Sequence, residues 1–225
     1  MTSAFNDEIN SFAERISSAK EDVRYADAIS LNPNKTSKNQ AARIKSSIII
    51  QVSASFENFL SLLIEKLNLE LSNAKISLSE IHPSLLSIEL NNIFSSLKTT
   101  EGMKNWEKRV ELLSKIHSSD SASIPSSISI FGAKTPRKKH LILLWDIYSI
   151  QLPLSPTPAH LLALDSLADS RNQIAHGELC ATSAGKNKTT LDLENIIKKI
   201  EELGLHIACC FELYLKQEKY KKVTP

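Results

Sequence analysis

Apolar residues recur at three- and four-residue steps along most of the chain, the period of a helix buried on one side. Phe5, Ile9, Phe12, Ile16, Ala19 and Val23 trace such a stripe, which predicts a helix from residue 5 to about 29. LNPNKTSKNQ breaks the pattern at Pro33 and its polar neighbours, and Ser37 can cap the helix that follows. That helix is long. Ile44, Ile48, Val52, Phe56, Phe59, Leu63, Leu67 and Leu71 form one continuous stripe, as in an element at the centre of a bundle.

Helical patterns continue through the middle, one after Pro83 and another in EGMKNWEKRVELLSKI. The serine-rich stretch 117–140, with two prolines and a basic end, reads as a surface loop inside one domain. HLILLWDIYSIQL resumes helix and stops before Pro153. AHLLALDSLADSRNQIAHG predicts the next helix, with Thr157 as cap, Pro158 in the first turn and Gly177 at the end. ATSAGKNKTT reads as a polar loop and KKVTP as a frayed tail. Between them lies a last helix whose buried face is Leu193, Ile197, Ile200, Ile207, Phe211 and Leu215. The expectation is an all-α, up-and-down bundle forming a single domain over 1–225, with its core in about 36–72 and 140–218. Residues 75–139 then add helices and the serine-rich loop.

Composition changes little in this picture. Hydrophobic residues make up 42% and charged residues 23%, an ordinary globular balance. A formal net charge of +2 is too small to argue for a nucleic-acid partner, so any RNA contact must come from local patches. Cys180, Cys209 and Cys210 have no metal-ligand spacing and read as buried free thiols in a reducing cytoplasm. The opening MTSAFNDEINSF lacks the apolar core of a signal peptide, and no apolar run approaches the length of a membrane span. A cytoplasmic protein with no metal, no cofactor and no membrane partner is expected.

Candidate chemistry concentrates in Arg171–Asn172–Gln173–Ile174–Ala175–His176. Bare R-x4-H spacing arises readily by chance in a chain with six histidines. Its position sharpens it: the string closes an apolar helix, precedes a polar loop, and is followed by one long final helix. Histidine moves protons near neutral pH, and arginine offers a planar fork of donors to phosphate oxygens. Asn172, four residues before His176, shares its helix face; Arg171, five before, is turned about 140° away. On that spacing Arg171 converges on the same phosphate only if the helix ends or a second protomer contributes, which favours a shared site over a self-sufficient one. The bland alternatives are a histidine on its helix's terminal carbonyls and an arginine paired with Asp165, Asp169 or Glu178.

RNQIAHG resembles the RNxxxH motif of the HEPN superfamily, and IAHGE is similar to its stand-alone bacterial branch related to toxin and RNA-processing systems. The likeness is tight over 158–180 and loose over 36–72 and 190–218. It implies a homodimer in which two motifs form one cleft, and a metal-independent endoribonuclease in which the RNA's own 2′-OH attacks. Arg171, His176 and Asn172 would be the catalytic residues. A role in defence, stress or a toxin–antitoxin pair, with an antitoxin protein as partner, also comes from the resemblance alone. The alternative is a non-catalytic module that binds RNA, nucleotide or protein.

Supporting candidates are weaker. Glu57 can face the cleft and hold Arg171 or His176, or can be a solvated helix acid. Arg137, Lys138 and Lys139, in the cluster Thr135–His140, can track an RNA backbone or simply end a loop. Trp106 and Trp145 can stack bases, although core packing is the better expectation for both.

Overall fold

A computed structural model of the protein describes residues 3–126, 131–132 and 134–222. Among them nine α-helices and one 3-10 turn occur, with no strand, which is the all-α bundle expected. The helices are α1 (Asn6–Ser30), α2 (Lys35–Asn73), α3 (Leu86–Glu89), α4 (Asn91–Thr99), α5 (Gly102–Ile116), α6 (Lys138–Tyr148), α7 (Pro158–Ala175), α8 (Ala181–Lys186) and α9 (Thr190–Lys216). They fall into two compact units, and α2, α6 and α9 contribute residues to both.

The first unit comprises residues up to 63, 131–141 and 153–209. Phe12 of α1 stacks on Phe59 of α2 with ring centroids 4.2 Å apart and meets Phe56 edge-on at 6.5 Å. All three rings are buried, so the two predicted stripes do pack together. The cap of α2 differs from expectation. Asn34 Oδ1 accepts from the Thr36 N–H at 3.0 Å, and Ser37 already lies inside the helix.

The expected loop after the motif contains α8. Its buried residues are Ala184 and Gly185, too small to leave a hydrophobic stripe. A Cβ on Gly185 would fall 1.7 Å from the Ala42 carbonyl oxygen, so only glycine permits this approach to α2. The Ser46 hydroxyl of α2 donates to the Ala181 carbonyl beside it.

The second unit comprises residues 64–130, 142–152 and 210 onward. The predicted helix after Pro83 is broken into a 3-10 turn, Pro83–Leu85, followed by α3 and α4. Tyr148 packs edge-on against Tyr214 at 6.3 Å, and its hydroxyl donates to Asn68 Oδ1 at 2.5 Å. Asn68 in turn donates to the Pro125 carbonyl at 3.2 Å, which anchors the serine-rich stretch. That stretch is not wholly surface: Ala122 and Ile124 are buried, and Ser121 bridges to Ser77. Residues 127–130 and 133 of it lie outside the described residues. Of the expected frayed tail, Lys221 bridges to Ile81 and the Lys222 N–H donates to Glu80 O at 2.7 Å; residues 223–225 lie outside the described residues.

Expectations about Trp106, two cysteines and α2 change. Trp145 is buried, with Nε1 donating to Leu152 O at 2.9 Å, but Trp106 is 65% exposed on α5, under the Arg109 guanidinium. Only Cys210 of the three cysteines is buried. One described helix, α2, is long and apolar enough to cross a membrane, with mean hydropathy 1.5 over 18 residues, although the sequence reading found no such run. In that window 56% of the residues are buried within the protein, as in a core helix.

Candidate functional site

The motif stands where α7 leaves the core. Pro158 occupies the first turn, and Thr157 takes the cap position, but its hydroxyl meets the His160 ring nitrogen at 2.9 Å instead of a backbone N–H. The buried residues of α7 run from His160 to Ala168 and then stop. Beyond them Arg171 and Asn172 are half-buried and His176 is exposed. The His176 N–H still donates to the Asn172 carbonyl at 2.9 Å, so the two side chains share a face as their spacing predicts. Gly177, at φ +75°, ends the helix; its N–H donates to Ile174 O at 3.2 Å.

Arg171, Asn172 and His176 line an open cleft of about 340 Å³. Its other wall is the segment entering α6: Lys134, Thr135 and Arg137, then Lys139 and His140. Three α7 side chains at positions i, i+4 and i+7 hold that segment in register. Asp165 Oδ1 accepts from the Lys138 N–H at 2.9 Å and so caps α6. Asp169 Oδ1 pairs with Arg137 Nη1 at 2.7 Å. Asn172 Oδ1 accepts from the Thr135 hydroxyl at 3.2 Å.

The same amide oxygen accepts from Arg171 Nη1 at 3.2 Å. With Oδ1 taking two bonds, the remaining capacity of the Asn172 amide is its NH2, a donor suited to an anion. Arg171 has no carboxylate partner among the described residues; Asp165 and Asp169 are both engaged elsewhere. The His176 ring likewise makes no hydrogen bond among them, to helix carbonyls or to anything else.

Arg171 is therefore not turned away from the motif face. Its side chain is long enough to offset the helical rotation, and one chain suffices to bring Arg171, Asn172 and His176 to one cleft. Arg137 and Lys139 join them; the Lys138 side chain is exposed and does not line the cleft. Glu57, half-buried on α2, is not in its lining and makes no ion pair with Arg171 or hydrogen bond with His176 among the described residues.

Lys134, Thr135 and His140 complete the cleft without having been singled out by spacing. The only signal for them was their place in or beside the basic cluster. The His140 ring packs against Phe131 with centroids 5.5 Å apart. Burial first, then the charges of Lys139, Lys134 and Arg137, hold its pKa below the ordinary histidine value, against a hydrogen bond to the Thr135 backbone. His140 is thus neutral at pH 7, and the positive charge of the cleft comes from two lysines and two arginines.

Neither the curated proteins nor the solved structures contain a match to the chain. The family model described as RiboL-PSP-HEPN matches residues 7–213, nearly the whole length, and the chain belongs to that family of HEPN-type, RNA-related helical domains.

Proposed function

We propose that the protein is a metal-independent endoribonuclease acting in the cytoplasm, in defence, stress or a toxin–antitoxin pair with a protein antitoxin. The observation that carries this reading is an arginine that shares a cleft with Asn172 and His176 and has no carboxylate partner among the described residues. A guanidinium whose neighbouring acids are diverted elsewhere is disposed to take an anion from outside.

The chemistry follows from the side chains. The substrate's 2′-OH attacks phosphorus, and the His176 imidazole takes its proton as the new P–O bond forms. Arg171 and the Asn172 NH2 stabilise the extra negative charge on the pentavalent phosphorus. The bond to the 5′ oxygen then breaks, and that oxygen receives a proton from the imidazolium. The products carry a 2′,3′-cyclic phosphate and a 5′-hydroxyl. In the homodimer we propose, a second copy of the motif adds a second imidazole, so that one ring can take the proton while the other gives one.

Incubating purified protein with a panel of RNAs in EDTA tests this. Cleavage is expected from the wild type and not from His176→Ala, with both proteins equally helical and of equal mass in solution. Binding without cleavage by the wild type would favour the non-catalytic module.

A further inference from the structure

A scissile phosphodiester carries one negative charge, yet the cleft presents four permanent cations. Arg171 faces the reacting phosphate in the mechanism above, and Arg137 is partly neutralised by Asp169. Lys134 and Lys139 are left, both exposed and neither with a carboxylate partner among the described residues. They are surplus to the reaction itself.

The segment that bears them is held in place. Thr135 and Pro136 are buried, and Asp165, Asp169 and Asn172 fix residues 138, 137 and 135 in turn against α7. The backbone that carries the lysines is therefore anchored beside Arg171 and His176, unlike that of a solvated tail. Two cations beside a phosphate site are placed to meet the neighbouring phosphates of an RNA strand.

We propose that Lys134 and Lys139 form a subsite for the phosphates flanking the scissile one, so that the preferred substrate is RNA longer than a dinucleotide. This rests on the ribonuclease reading, and its test is arranged to separate the two. For cleavage, kcat/KM is compared between a dinucleoside monophosphate and an unstructured oligoribonucleotide. The wild type is expected to prefer the oligomer by about tenfold or more, the value of one charge-assisted contact. Lys134→Ala/Lys139→Ala erases most of that advantage, as does an uncharged methylphosphonate at the flanking linkage. If the variant slows both substrates in step, the subsite is overturned.

For binding, a 2′-O-methyl oligomer that cannot be cut isolates the subsite from the chemistry. The slope of log affinity against log salt should be shallower by about 1.4 in the double variant, two contacts at about 0.7 each. Equal slopes overturn the subsite whether or not unmodified RNA is cleaved. Absence of cleavage with a shallower slope instead overturns only the ribonuclease reading.

Discussion

Arg137 Nη1 lies 2.7 Å from Asp169 Oδ1, while Arg171, two residues beyond Asp169 on α7, has no carboxylate partner among the described residues. At two and six residues before Arg171, neither Asp169 nor Asp165 starts from its face of α7. The segment entering α6 takes both, Asp165 through a backbone N–H and Asp169 through Arg137. An acidic face that would repel RNA is used to hold a basic wall.

Asp169→Asn should therefore strengthen RNA binding, because it removes a negative charge from the rim and frees Arg137. Asp169 is 62% exposed, so its pair with Arg137 contributes no more than about 1 kcal/mol to stability. Fluorescence anisotropy at low salt and thermal melting separate the two effects. Weaker binding with unchanged melting would show that Asp169 acts by positioning Arg137.

The lowered pKa of His140 ties stability to pH. Its unfolded value is about 6.5 and its folded value lies lower, so the folded state takes up its proton later as pH falls. The stability it contributes is complete above about 6.5 and is lost as pH drops toward the folded value. His140→Gln has no proton to take up. The difference in Tm between wild type and this variant should shift against the wild type as pH falls below about 6.5. A constant difference across that range would contradict the assignment.

Gly185→Ala should destabilise the protein by about 3 kcal/mol, since the new methyl meets backbone at Ala42 and no side chain can yield. Urea unfolding measures this directly. A change within about 0.5 kcal/mol would mean that α8 does not pack on α2 as described.

Much of this arrangement was legible before the fold was known. The stripes of α1, α2 and α9 announced themselves because large apolar residues repeat at the helical period, and Pro158 and Gly177 marked the two ends of α7. What escaped depends on contact between distant segments. α8 packs through Ala184 and Gly185, a close approach with no hydrophobic bulk to read. Trp106 looks like core by type, yet it lies on α5, which has no buried residues. The motif itself was readable, and so was the basic run of Arg137 to Lys139. That Lys138 points away while Lys134 and His140 face the motif follows from how Asp165, Asp169 and Asn172 grip the segment. Helical rotation fixes only where the Arg171 side chain starts, and a long arginine reaches back across that angle to the cleft.

The most direct measurement is end-group analysis, by mass spectrometry, of RNA incubated with the protein in EDTA. Wild type should yield fragments ending in a 2′,3′-cyclic phosphate opposite a 5′-hydroxyl, and Arg171→Ala and His176→Ala should yield none. RNA left intact by a folded wild type, or fragments with 5′-phosphate and 3′-hydroxyl ends, would contradict cleavage by the 2′-OH at this cleft.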